Sequence, residues 1–191
     1  MSFSSQSSAF SIGLSPGDEV TDKIYLVGFM AAGKTTVARA LAARLQWRAE
    51  DVDELIEGRE RRPVADIFAQ QGEPYFRSAE RDILRLLLPM RHVVVATGGG
   101  TFMDPENRSA INMDGVSVWL DVPFEELVAR LPGDGRRPLA ADRVQMERLF
   151  ALRAAAYSAA HLRIDAARMR AEEIAERVLA AIRTDDWRLT T

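Results

Sequence analysis

Residues Gly28 to Thr35 read GFMAAGKT, which fits G-x-x-x-x-G-K-[ST], the pattern of a phosphate-binding P-loop. The run before it, Ile24-Tyr25-Leu26-Val27, is a short apolar strand candidate, and the run after it, Thr35 to Leu45 (TTVARALAARL), reads as an amphipathic helix. A strand–loop–helix setting separates this motif from a Gly-containing turn that happens to precede a helix. In such a loop the backbone N–H groups and the helix N-terminus surround an anion. Lys34 would reach the outer phosphates of a nucleotide, and the Thr35 hydroxyl would ligate Mg²⁺. The chain holds 25 Lys plus Arg, of which only Lys23 and Lys34 are lysine. Arg is used almost everywhere else, yet this position keeps the compact ammonium that the loop requires. Many such loops carry Gly where Ala31 stands, and Ala has less backbone freedom there.

Outward from the loop, strand and helix patterns alternate. Trp47 to Glu50 is a weak strand candidate leading into Asp51, followed by a charged helix from Val52 to about Arg59. Pro63 opens a helix carrying Val64, Ile67 and Phe68, Gly72-Glu73-Pro74 punctuates, and a longer helix runs from Tyr75 to Leu88. Val93 to Ala96 is a buried-strand pattern ending in Thr97-Gly98-Gly99-Gly100. Then come a helix (Pro105 to Met113), a strand (Val116 to Leu120), a helix (Pro123 to Leu131), a long Ala-rich helix (Asp142 to Ala160), a strand (Leu162 to Ile164) and a final helix (Ala171 to Arg183). Between Pro132 and Ala141, PGDGRRPLAA frames Arg136 and Arg137 with Gly and Pro, which reads either as a hinged lid or as a solvated loop. This alternation predicts one α/β domain, a parallel sheet covered on both faces, with ligands at the carboxyl ends of its strands.

Composition narrows the classes. The chain has 191 residues, net charge −3 and no Cys. No global basic field argues for nucleic acid, and no apolar run has the length of a bilayer span. Absent thiols exclude disulfides and thiolate metal sites and fit a reducing compartment. Residues 1–22 are Ser-rich, lack the basic start of a secretory signal, and read as a flexible tail; residues 185–191 read as a second tail.

Two further constellations lie where a site is expected. Asp51-Val52-Asp53 places two carboxylates two residues apart, so in extended backbone both face one way. They read either as a Mg²⁺ and hydroxyl site or as a solvated acidic cap on the next helix. Gly98 to Gly100 implies unusual backbone angles or close approach of a ligand, or else a plain turn.

The ordered set GFMAAGKTT (Gly28 to Thr36), DVDELIE (Asp51 to Glu57), GEPYFRSAE (Gly72 to Glu80), ATGGGT (Ala96 to Thr101), RRPL (Arg136 to Leu139) and the pair Arg153…Tyr157 resembles the shikimate kinase family, over about Lys23 to Arg183. The resemblance implies a single three-layer α/β/α domain over residues 23–184. It would hold a roughly five-stranded parallel sheet, a P-loop, a substrate-binding helical segment and a mobile lid at 132–141. It implies transfer of the γ-phosphoryl of ATP to the 3-hydroxyl of shikimate, with Mg²⁺, by a cytoplasmic monomer that binds neither nucleic acid nor membrane. Ala31, Ala32, Gly33, Lys34, Thr35 and Thr36 would hold the ATP phosphates, with Thr35 and Asp51 serving the Mg²⁺. Asp53 would bind the ring hydroxyls and orient or deprotonate the attacking one. Arg77, Arg153 and the Gly98, Gly99 and Gly100 backbone would take the substrate carboxylate. Arg137 would close with the lid onto the phosphates, and Arg130 and Arg168 would lie near adenine. Gluconate shares a carboxylate and hydroxyls, so a gluconate kinase is the nearest alternative by charge alone. A catalytically silent nucleotide-binding regulator should lack one of Asp53, Arg77, Arg137 and Arg153, and all four are present.

Overall fold

A computed structural model describes residues 21–131 and 143–184. Residues 1–20 of the expected N-terminal tail, the C-terminal tail, the 132–141 segment and Arg137 therefore lie outside the described residues, whereas Thr21 and Asp22 are tied to the sheet by hydrogen bonds. Among the described residues, five strands form one parallel sheet in the order β2-β3-β1-β4-β5: β1 Lys23–Val27, β2 Arg48–Asp51, β3 Val93–Ala96, β4 Val116–Asp121 and β5 Leu162–Asp165. Register is continuous across the centre: Leu26 pairs with Ala96 on one side and Val118 on the other. The three central strands are buried nearly throughout, which is why they read as apolar runs. β2 is an edge strand with Arg48 and Ala49 exposed, and this accounts for its weak signature.

Among the described residues, seven α-helices connect and cover the strands: α1 Lys34–Leu45, α2 Val52–Glu60, α3 Val64–Leu87, α4 Pro105–Asp114, α5 Phe124–Arg130, α6 Arg143–Tyr157 and α7 Ala171–Arg183. α3 is two helical pieces joined at Gly72, whose φ of 79° and ψ of 172° break the helix where Gly72-Glu73-Pro74 was expected to punctuate it. α6 stops at Tyr157, three residues short of its expected end at Ala160; a turn over Ser158–Ala160 follows. Right-handed crossovers put α1 on one face, with α7 packed against it, and send the connections that run the other way across the opposite face.

The chain leaves β1 toward β2 but leaves β3 toward β4. The loops after β1 and β3 thus diverge from neighbouring strands, opening a crevice at their carboxyl ends. At the other end of the sheet, Lys23 is fully buried. Its ammonium donates to Leu87 O (3.0 Å), Leu88 O (2.8 Å) and Asp114 Oδ2 (2.6 Å), where Tyr25 Oη also donates (2.5 Å). A cation there neutralises the negative end of α3 and ties it to α4 through β1. Among the described residues no helix is long and apolar enough to cross a membrane.

Candidate active site

The loop Gly28–Gly33 turns β1 into α1 without a side-chain cap, so the helix N-terminus presents backbone N–H groups. The first helical bond runs from Val37 N to Gly33 O (2.9 Å), and Thr35 and Thr36 lie in the turn before it. Ala31 adopts φ 61°, a left-handed conformation that costs a non-Gly residue about 1–2 kcal/mol. The geometry therefore bears out the concern that Gly would sit more easily at this position. Lys34 is 9% exposed, and its ammonium donates to Gly28 O (3.0 Å) and Phe29 O (2.9 Å), folded along the inside of its own loop.

Asp51 and Asp53 do not lie on one extended stretch. Asp51 ends β2 as the N-cap of α2, and its Oδ1 accepts from Asp53 N (2.9 Å) and Glu54 N (3.2 Å). Asp53 sits in the first helical turn. The capping reading holds, and the other Asp51 oxygen also accepts from Thr35 Oγ1 at 2.5 Å, so the cap does not use up the carboxylate. A hydroxyl and a carboxylate oxygen thus meet at the mouth of the P-loop. This small oxygen donor set suits Mg²⁺, which keeps several waters and takes much of its shell from phosphates.

Beyond β3, Gly98 to Gly100 have no positive φ, so the expectation of unusual angles fails. Close approach explains them instead, and the neighbours are protein side chains. A Cβ on Gly98 would stand 2.5 Å from Glu80 Oε1 and 2.8 Å from Asp53 Oδ1; one on Gly100 would collide with the Arg77 guanidinium. These glycines let α2, α3 and the β3 turn converge on one cavity of about 470 Å³. Its lining includes Ala31, Thr35, Asp51, Asp53, Arg77, Gly99, Gly100, Arg130 and Arg153, together with the apolar Val64, Phe68 and Phe76.

The corner formed by Arg77, Glu80 and Arg153 is electrostatically unbalanced. Arg77 pairs with Glu80 and with the exposed Glu73. Burial lowers the Arg77 proton affinity, but the two carboxylates outweigh it and hold the guanidinium above its usual range. Glu80 is 1% exposed and also accepts from Thr101 Oγ1 (2.8 Å). Arg153 is 5% exposed and, among the described residues, forms no ion pair; its Nε is buried without a hydrogen-bond acceptor. Its guanidinium lies 5.4 Å from the centre of the Phe29 ring. Burial pushes its pKa down, and neighbouring Arg77 adds to that effect against the opposing influence of Tyr157 and Glu80. Arg77 is balanced by Glu80 and Glu73, whereas Arg153 has no carboxylate at ion-pair distance among the described residues, which leaves its positive charge for an anion of matching size.

The remaining expected residues divide. Arg130 lines the cavity and pairs with Glu126 one turn earlier on α5. Arg168 is exposed at φ 53° and does not line the cavity, but its backbone N–H donates to both Glu126 oxygens (2.9 and 3.1 Å). One carboxylate thereby links the two segments. Sequence reading assigned no role to Glu80, Glu126 or Tyr157. The spacing of Glu80 three residues after Arg77, and of Glu126 four before Arg130, was the available signal.

Known proteins resemble this chain over most of its length. The family model described as shikimate kinase matches residues 30–183. The chain is 39% identical to a shikimate kinase of Persephonella marina over 161 residues, covering 84% of this chain and 98% of that protein. It is 47% identical to one from Thermosynechococcus vestitus over 126 residues, 66% of this chain and 68% of that protein. A shikimate kinase from Acinetobacter baumannii, solved in complex with shikimate, superposes with a TM-score of 0.84 at 34% identity, covering 87% of this chain and 96% of that one. A deoxyadenosine kinase from M. mycoides, at 15% identity and a TM-score of 0.58, shares the fold alone. With a phosphate loop, an acidic pair and an anion-seeking arginine corner gathered at one sheet crevice, and a family model spanning most of the chain, the protein belongs to the shikimate kinase family.

Proposed function

We propose that the chain transfers the γ-phosphoryl group of ATP to the 3-hydroxyl of shikimate, giving shikimate 3-phosphate and ADP. The observation that carries this reading is Arg153, a buried guanidinium without an ion pair among the described residues, in a cavity shared with Asp53 and the P-loop. A carboxylate bound there is held by Arg153 and Arg77, and the ring hydroxyls then face Asp53.

Each part has a physical task. Lys34 and the amides of residues 31–36 hold the phosphates, so that little reorganisation is needed as charge moves during transfer. Mg²⁺, held through Thr35 Oγ1 with Asp51 beside it, would neutralise phosphate charge. Asp53 accepts the proton side of the attacking hydroxyl and fixes its direction. Glu80 holds Arg77 toward the cavity, while the apolar Val64, Phe68 and Phe76 exclude water from the ring. Arg130 and the Arg168 segment, joined by Glu126, form the nucleotide-side wall. We read the protein as a cytoplasmic monomer.

The test is ADP release with ATP–Mg²⁺ and shikimate, quinate, gluconate or AMP in parallel. Turnover with shikimate is expected; turnover with gluconate or AMP and none with shikimate would refute the proposal. Omitting Mg²⁺ should abolish transfer.

A further inference from the structure

Tyr157 is 2% exposed and ends α6 one helical turn after Arg153. Its hydroxyl donates to Gly99 O at 2.5 Å, between segments 58 residues apart in sequence. Burial pushes the phenol well above its usual range, so it stays a donor despite the nearby Arg153 and Arg77. The Gly99–Gly100 peptide is trans and planar, so its C=O and N–H point to opposite sides. Fixing Gly99 O on Tyr157 fixes the direction of Gly100 N–H. Gly100 is buried, lines the cavity and lies against the Arg77 guanidinium; among the described residues no acceptor meets its N–H. A buried N–H without an acceptor costs stability unless a ligand supplies one.

We propose that Tyr157 is a positioning residue: by holding Gly99 O it aims the Gly100 N–H at the substrate carboxylate, as a third donor beside Arg77 and Arg153. This rests on the cavity binding shikimate. The hydroxyl also links α6 to the turn after β3, so the two sources of carboxylate donors keep a fixed spacing.

The experiment uses the full chain and Tyr157→Phe, which removes one oxygen. KM for shikimate should rise about tenfold, equivalent to ~1.4 kcal/mol, with kcat and KM for ATP within about twofold. A lowered melting temperature with unchanged shikimate KM would overturn the proposal, since a purely structural tyrosine behaves that way. A second measurement avoids dependence on the variant's folding. In the wild-type chain, the Gly100 amide proton should move downfield on shikimate titration followed by ¹H–¹⁵N correlation spectra. Saturable shikimate binding that leaves the Gly100 resonance in place would overturn the role of Tyr157 alone. A wild-type chain that binds no shikimate would overturn the proposed function and this inference with it.

Discussion

Replacing Arg153 with Met should improve the fold while removing substrate binding, because the structure gives the two effects opposite signs. The guanidinium is 5% exposed and, among the described residues, has no carboxylate partner. Replacing buried charged groups by apolar ones of similar volume ranges from neutral to a gain of about 1–4 kcal/mol. Against this stands the ring contact with Phe29, worth about 0.5–2 kcal/mol. A net gain of about 1 kcal/mol should raise Tm by about 2–4 °C for a chain of this size. Removing one partner of a desolvated charge pair costs a ligand about 2–5 kcal/mol. The Kd for shikimate should therefore rise from about 30-fold to several thousand-fold, with ATP binding nearly unchanged. Titration calorimetry with each ligand and a thermal melt without ligand measure both quantities on one sample. A shikimate Kd within threefold of wild type, on the order of 0.7 kcal/mol, would refute the assignment of the spare charge to the carboxylate. A clear fall in the ligand-free Tm would refute the argument that this charge destabilises the empty fold.

Three other outcomes follow from the geometry. Asp53→Asn should lower kcat by roughly 10²–10⁴ while ATP binding is retained, and near-normal transfer in the ADP-release assay would remove Asp53 from the reaction. Lys23→Met takes the donor from the Leu87 and Leu88 carbonyls and leaves Asp114 with only Tyr25 and Arg91, so it should cost about 3 kcal/mol in denaturant unfolding, with both substrate KM values unchanged because the site lies at the opposite end of the sheet. Ala31→Gly relieves the left-handed Ala but adds unfolded-state freedom, for a net gain of about 0.5–1 kcal/mol; a lower Tm would show that φ 61° carries no strain.

Much of the fold was legible in the sequence because central parallel strands are buried on both faces and the helices keep a 3.6-residue stripe. Val93–Ala96 and Val116–Asp121 could hardly read otherwise. The edges were less legible: β2 is half-exposed and uses charged residues, and α6 ends in an Ala-rich run that gives no stop signal of its own. The P-loop, Asp51, Asp53, Arg77, Gly99, Gly100, Arg130 and Arg153 converge on one cavity, whereas Arg168 stands outside it.

What the sequence alone determined was chemistry that is local along the chain: the anion-binding loop, the strand and helix periods, the ordered motifs that mark the family. Burial and pairing were decided only by tertiary structure, because they depend on segments far apart. No spacing distinguishes Arg153, buried without an ion pair among the described residues, from the exposed Arg163 that pairs with Asp121 at the other edge of the sheet. The chain's two lysines are likewise both buried, at opposite ends of β1. Nor could the sequence show that Gly98 and Gly100 make room for Glu80, Asp53 and Arg77. Their close approach requires α2, α3 and β3 to be packed together first, since only packing fixes the distances on which charge balance and close contact depend.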